Sequence, residues 1–556
     1  MSFLVNEPHV MATAAADLEG IASALSTAGA AAAGPTSSLL AAAGDEVSAA
    51  IADLFGAYGR QCQDVLTHAS AFQYQFQQSL GAAANAYANA ETAIANSLPG
   101  LLGAPSAPAP GAVSLPPFPP NLLSIIIGGT GVPIPTPKLI NGALDLYIRP
   151  DALHPTVPFP LVTPEELYPL TGVRSMTLNA SVQEGLNILD GALYKQIAML
   201  NQPVTVFGIS QSSVIASLEM RNLAAGTSLF GAHPPDPSML NFVLTGNEMN
   251  PNGGMLSRFP GLALPALGLD FYGATPSDTP YQVANYTLEY DGFADFPRYP
   301  LNFLADLNAL AGIIYVHPTY FDLSVAQVNN AVQLPTSPGY TGNTTYYAIP
   351  TQNLPLLEPL RALPVIGNPL ANLLQPDLKA LVNLGYGDPA HGYSTSYADV
   401  ATPFGLFPEV PPQVVTNALV AGTQQGIHDF SVDLQALAAH PPTLPSFAAP
   451  TPGDLLATAA RFPSPERIVN TAATIISTDY AVLLPTADIA LSLATAMPIY
   501  DAQLFAQQLA LGSVVNAIGY PLAANVGLAT IAGGVEALTI LAAVSSNVSA
   551  VESLLA

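Results

Sequence analysis

The stretch Val204-Thr205-Val206-Phe207-Gly208-Ile209-Ser210-Gln211-Ser212-Ser213 constrains this chain more than any other. A β-branched, apolar run of strand composition breaks at a glycine, a serine follows, and Val214 to Met220 then reads as helix. Strand, sharp turn and helix, with serine at the apex, lift a hydroxyl above the end of a sheet. Gly208 tolerates the tight backbone, and small Ser212 lets the helix begin close to the strand. The helix N-terminus adds partial positive charge and free N–H groups beside the serine. The usual elbow pattern is G-x-S-x-G, whereas the last position here is Ser212. On these residues alone an ordinary βα turn stays open.

Composition narrows the setting of that turn. A chain of 556 residues should hold two to four domains, and with 50% hydrophobic and only 9% charged residues it can bury a large core. The net charge of −26, from 12 basic against 38 acidic residues, argues against nucleic acid as a partner and against electrostatic attachment to anionic lipid. The single cysteine, Cys62, excludes an intrachain disulfide and a cysteine-based zinc site, and no two histidines stand at ligand spacing, so no metal is expected. No charged n-region followed by an apolar h-region opens the chain, so no ordinary secretory signal is expected.

Residues 1–97 are rich in alanine. Val10, Ala14, Leu18, Ile21, Leu25 and Ala28 recur at helical spacing. After a turn region around Gly34-Pro35, a second seam runs Val47, Ile51, Leu54, Tyr58, Cys62, Val65, Ala69, Phe72, Phe76 and Leu80, in steps of three and four. Two helices so joined make a hairpin too thin to bury two apolar faces alone. It is expected to pack on a partner or on the rest of the chain. Residues 98–120, with Pro99, Pro105, Pro108, Pro110, Pro116-Pro117 and Pro119-Pro120, have the composition of an extended, semi-rigid linker.

The opening Met1-Ser2-Phe3-Leu4-Val5, the alanine-rich hairpin and Tyr87-Ala88-Asn89-Ala90-Glu91 together resemble the mycobacterial PE family. The Pro-Glu pair that names the family is replaced here by Glu7-Pro8-His9. The resemblance implies a type VII secretion signal at Tyr87 and Glu91, a secretion chaperone, pairing with a PPE-type helical partner, and a destination outside the cell or in its envelope.

Beyond the linker, Ser124-Ile125-Ile126-Ile127 has the composition of a buried parallel strand and runs into Gly128-Gly129-Thr130-Gly131. That loop lacks both G-x-G-x-x-G spacing and a following lysine, which argues against dinucleotide or phosphate binding. It is either a tight turn or a source of backbone N–H groups for an oxyanion. Further strands are expected at Phe242–Gly246 and Tyr286–Tyr290. A helix is expected over Leu301–Ala311, and a strand-to-loop transition is expected to end at His317. Strands alternating with helices argue for a mostly parallel α/β sheet.

Acyl transfer at a serine needs an imidazole to take its proton, a carboxylate to hold that imidazole, and N–H donors for the oxyanion. In α/β-hydrolases the chain order is serine, acid, histidine. Ser210, Asp295 and His317 stand in that order. Asp295 is preferred because it lies in a loop past Gly292, and Asp291 is the alternative acid. Of eight histidines, His317 follows the acid most directly.

The glycine loop, the G-x-S-x-S elbow, Tyr290-Asp291-Gly292-Phe293-Ala294-Asp295-Phe296-Pro297, Val316-His317-Pro318-Thr319-Tyr320 and Thr345-Tyr346-Tyr347-Ala348-Ile349-Pro350 together resemble the PE-PPE C-terminal domain, a serine hydrolase fold similar to cutinases and lipases. The resemblance implies a nucleophile at Ser210, an acid at Asp295, a base at His317, and oxyanion donors at Gln211 and at Thr130 or Gly131. It implies no cofactor. It implies esterase or lipase action on acyl esters, with acyl transfer to envelope glycolipids as the alternative. A non-catalytic surface or assembly protein on the same fold stays open.

The expected architecture is therefore an α/β-hydrolase over 121–400, preceded by the two-helix hairpin and followed by a helical region over 401–556. Residues 336–388, rich in Tyr, Pro and Leu, suit an apolar lid or a second core layer equally. No charged residue stands between Asp501 and Glu536. Gln503, Gln507, Gln508, Asn516, Asn525 and Pro521 interrupt that stretch, so a docking helical bundle is expected there rather than a membrane span, with membrane contact open.

Overall fold

The computed structural model describes residues 123–148, 156–172, 174–439 and 465–555. The chain divides into two units, Met1–Ala112 and Val113–Ala556, and every described residue belongs to the second. The expected hairpin, the linker, and Tyr87 and Glu91 lie outside the described residues.

The strands are β1 (Leu123–Ile127), β2 (Val157–Leu161), β3 (Val204–Ile209), β4 (Leu240–Thr245), the short hairpin β5 (Ala263–Leu264) and β6 (Leu269–Asp270), β7 (Gln282–Leu288), β8 (Val332–Gln333) and β9 (Thr344–Ile349). Seven of them form one sheet in the order β2-β1-β3-β4-β7-β9-β8. Every pairing in it is parallel except that of β8 with β9. The mostly parallel sheet of an α/β-hydrolase is thus present, as the residue pattern predicts.

Alternation along the central strands sends successive side chains to opposite faces. Ile125, Ile127, Val204, Val206, Phe242, Leu244 and Val283 join one core. The helices α1 (Leu178–Leu193) and α2 (Gln211–Ala225) contribute to that core. Ile126, Phe207, Val243 and Ala284 join the other, against Leu139, Tyr147, Val316 and Tyr320. Both faces are covered, which is why β3 and β4 are buried along their whole length.

The chain order within the sheet positions the site. From β1 the chain moves to β2 on one side, and β3 then lies on the other side of β1. The loops leaving the carboxyl ends of β1 and β3 therefore diverge and leave a crevice at a topological switch point. Gly128-Gly129-Thr130 and Ser210 sit at that crevice.

Two local expectations are corrected. Helix α3 (Phe303–Tyr315) runs four residues further than the expected helix, so His317 follows a helix and opens a single 3-10 turn, His317–Thr319. Ile313-Ile314-Tyr315 continues the apolar helix instead of starting a strand. Likewise β7 ends at Leu288, and Tyr290 takes a left-handed φ of 68° that turns the chain off the sheet. In the segment after β9, Leu354 and Leu357 are buried with Tyr290, Ala305, Ala371, Val382 and Tyr386, on and beside helix α4 (Gly367–Asn383). Those leucines form a second core layer rather than a lid.

Three long helices follow: α5 (Pro412–Ala439), α6 (Pro465–Ala510) and α7 (Val514–Leu555). The last two are joined through Gly512, at φ 79°, and pack along each other. Both are long and apolar enough to cross a membrane by length and composition. Part of their apolar surface is used internally. Tyr500, Leu504, Ala523, Ala524 and Leu528 are buried in the same core as the sheet, and a side chain at Gly527 would meet the ring of Phe259.

Candidate active site

The elbow is built by its own hydroxyls. Ser210 lies at φ 56°, ψ −126°, between the end of β3 and the first residue of α2. Such a backbone costs on the order of 1–3 kcal/mol and persists only where its surroundings over-determine it. Here Ser210 N donates to Thr245 O at 3.0 Å, and Ser213 N donates to Ser210 O at 2.8 Å. Ser212 Oγ accepts from Ile209 N at 2.8 Å and donates to Ile209 O at 3.0 Å. The serine that replaces the usual glycine thus ties the turn together. Gly208 is needed for close approach, since a Cβ there would stand 2.8 Å from Ser212 O.

His317 is held by Asp291. Nδ1 lies 2.9 Å from both carboxylate oxygens of Asp291. That carboxylate also accepts from Tyr320 Oη at 2.8 Å, Phe293 N at 3.0 Å and Ala294 N at 3.3 Å. The Phe293 ring meets the imidazole edge-on at 4.8 Å between centroids. Gly246, at φ 56°, leaves room on another side, where a Cβ would come within 3.0 Å of His317 Cε1. Burial by itself would lower the imidazole pKa. The charge and hydrogen bond of Asp291, with the charge of Glu248, outweigh it and hold His317 above its ordinary value.

The preference for Asp295 is corrected. Its Oδ2 accepts from Tyr290 N at 3.1 Å, and the positive charge that acts on it is that of buried Arg258. Burial pushes its carboxyl well above the usual carboxylate range, against the Tyr290 N–H and Arg258. No hydrogen bond joins it to His317. The physical reason is the turn after β7, in which Asp295 N donates to Asp291 O at 2.6 Å. Asp291 therefore faces the histidine, while Asp295 lies one turn on and faces the backbone of Tyr290.

Ser210 and His317 line one cleft of about 400 Å³, with Gly129, Thr130, Leu167 and Phe293 among its walls. Of the expected oxyanion donors, Gly131 is corrected, because its N–H is spent on Glu165 O at 2.7 Å. Gln211 is the first residue of α2, so its N–H has no acceptor within the helix. Thr130 lines the cleft, and its buried Oγ1 finds no partner among the described residues. Among the described residues no group of three or more His, Cys, Asp or Glu is placed to hold a metal ion.

Two family models match this sequence: the PE family over residues 4–94 and the PE-PPE domain over residues 156–387. PE family protein PE3 of Mycobacterium tuberculosis is 46% identical over 468 residues, covering 82% of this chain and 93% of PE3. The chain belongs to the PE family. The Uncharacterized PPE family protein PPE28 of the same organism is 48% identical over 77% of this chain and 67% of its own length. Esterase PE16, also from M. tuberculosis, is 46% identical over 74% of this chain and 75% of its own. A more distant relative there, SL1278 acyltransferase Chp1, is 30% identical over 249 residues, 44% of this chain and 58% of Chp1.

In this PE family protein the PE-PPE match contains Ser210, Asp291 and His317, whereas β1 and Thr130 precede it. The match also contains a residue that the sequence pattern did not single out. Glu248 stands three residues past β4, and Ser210 Oγ donates to its Oε1 at 3.2 Å. Its signal was an acid just beyond a strand end and a glycine, in Thr245-Gly246-Asn247-Glu248, the same cue that drew attention to the acids after β7.

Proposed function

We propose that this PE family protein is a serine esterase of acyl esters. The observation that carries the proposal is the pairing of His317 Nδ1 with Asp291 on the cleft that Ser210 enters from its elbow. With Nδ1 committed to the carboxylate, Nε2 is left to act as the base. Ser210 Oγ attacks the ester carbonyl carbon and its proton passes to Nε2. The oxyanion is met by the N–H of Gln211 and by Thr130. The imidazolium then gives its proton to the departing alcohol, leaving an acyl-serine. Water, deprotonated by His317, releases the acid and restores the serine. In the resting state the hydroxyl rests on Glu248 rather than on the imidazole. Catalytic hydrogen bonds commonly form only when substrate is bound. The apolar lining of the cleft suits an acyl chain, and the PE-PPE match and the resemblance to Esterase PE16 support the same activity.

Export belongs to the same proposal. The alanine-rich segment that carries Tyr87 and Glu91 serves as a type VII secretion signal and as the site of a PPE-type helical partner, and it delivers the esterase to the cell surface or envelope. A second activity, acyl transfer to a lipid or sugar alcohol, is favoured by the resemblance to the acyltransferase Chp1. The same groups would serve, with the acceptor hydroxyl replacing water.

Ser210→Ala is expected to abolish p-nitrophenyl ester turnover and fluorophosphonate labelling while leaving the melting transition in place. Retained turnover would reject Ser210 as nucleophile. An acyl donor supplied with and without a glycolipid alcohol separates the activities, since only a transferase forms the new ester at the expense of free acid.

A further inference from the structure

His317, held by Asp291, lines the same cleft as the nucleophile. Ser210 itself meets a carboxyl group that the acyl transfer does not use. Glu248 is 6% exposed, and its Oε1 is the acceptor that the Ser210 hydroxyl occupies. It leaves β4 on the loop that also carries Gly246, against which the imidazole packs. One short loop therefore touches both the nucleophile and the base.

We propose that Glu248 is a positioning residue for the hydrolytic pair: it parks the Ser210 hydroxyl in the resting enzyme and, as a second carboxylate beside the imidazole, stabilises the imidazolium formed when His317 takes the proton. This rests on the serine esterase reading of the site. Two carboxylates then face one imidazole. Asp291 holds it directly, and Glu248 acts through the field and through the serine.

The groups facing Glu248 fit that role. Burial pushes its carboxyl up to about 7, while the charge of His317 and the Ser210 hydrogen bond pull it down and Asp291 pushes it up. Glu165, whose backbone carbonyl holds the glycine loop, faces it as a buried carboxyl pushed up to about 8, chiefly by desolvation. Tyr272 is a further titratable neighbour, and it stays protonated. Glu248 and His317 therefore act on each other's protonation, and their titrations are coupled. The sign follows from the charges. Ionised Glu248 favours imidazolium, so removing its charge lowers the pH at which His317 becomes a free base.

The test is the pH profile of kcat/KM on a soluble p-nitrophenyl ester, with fluorophosphonate labelling of Ser210 followed at the same pH values. Glu248→Gln keeps an acceptor for the hydroxyl and removes the charge. The acid limb should move to lower pH by roughly half a unit or more, because a negative charge beside the imidazole is lost. Glu248→Asp keeps the charge on a shorter stem and should hold the limb near its wild-type position, even if the labelling rate falls. A Gln variant whose limb stays put, or an Asp variant whose limb moves as far as that of Gln, overturns the proposal, since a merely structural carboxyl lowers rates evenly at all pH values. Wild-type protein that fails to label at Ser210 rejects the esterase reading and this inference with it. Labelling with an unmoved limb rejects only the role of Glu248.

Discussion

The choice between Asp291 and Asp295 gives the sharpest test of the site, because both acids lie in one turn and differ in what they touch. In Asp291→Asn the carboxylate that meets His317 Nδ1 through both oxygens becomes an amide. Oδ1 also accepts from the N–H groups of Phe293 and Ala294, so the amide oxygen is held there. The NH₂ then takes the place of Oδ2, opposite two donors, Nδ1–H and the Tyr320 hydroxyl. One of the two contacts to Nδ1 becomes donor against donor, and the acceptor left at Oδ1 is shared with two backbone N–H groups, so the tautomer with the proton on Nε2, which cannot act as the base, gains population. The negative charge that stabilises imidazolium is lost as well. A loss of about 10³- to 10⁴-fold in kcat is expected, or roughly 4–5.5 kcal/mol of transition-state stabilisation.

Asp295→Asn should behave differently. Its Tyr290 N–H can be accepted equally by an amide oxygen, and burial already pushes this carboxyl toward neutrality, so little charge is there to lose. The loss in kcat should stay within about ten-fold, with about 1 kcal/mol of stability lost in urea titration. Steady-state kinetics on one ester, with urea unfolding of each variant, measures both effects. If Asp295→Asn lost a thousand-fold while Asp291→Asn kept most of its rate, the assignment of Asp291 as the orienting acid would be wrong.

Two further substitutions test the frame around the site. Gly246→Ala places a Cβ within 3.0 Å of His317 Cε1 on a backbone at φ 56°, so about 1–2 kcal/mol of strain and a displaced imidazole are expected. Turnover should fall more than ten-fold with KM little changed, and an unchanged kcat would show that the ring does not depend on that space. Phe259→Ala removes a fully buried ring packed on Phe271, Phe296 and Phe404 near Gly527 of α7. A loss of about 3–5 kcal/mol in denaturant unfolding is expected. A loss under 1 kcal/mol would mean that the C-terminal helices contribute little to the core beneath the sheet.

Local chemistry explains what was legible beforehand. Strands β1, β3 and β4 announce themselves because a buried parallel strand must be apolar on both faces, and the serine elbow because only glycine and small residues fit a turn that tight. The order of serine, acid and histidine points to His317, although that residue follows a helix and not a strand. An apolar run such as Ile313-Ile314-Tyr315-Val316 suits a strand or the end of a buried helix, and periodicity cannot separate the two over four residues.

Contacts between the ends of different strands were decided only by the tertiary structure. Which acid meets His317 depends on a left-handed residue at Tyr290 and one helical turn after it, and spacing along the chain carries no mark of either. Gly131 loses its place as an oxyanion donor to a carbonyl 34 residues away at Glu165. Glu248 reaches Ser210 across 38 residues because β3 and β4 are adjacent and in register, Ile209 beside Thr245. By itself the sequence determined that a serine would stand at the mouth of a parallel sheet, since strand, turn and helix are set by neighbours along the chain. Its partners depend on which strand ends lie side by side, and only the packed sheet determines that.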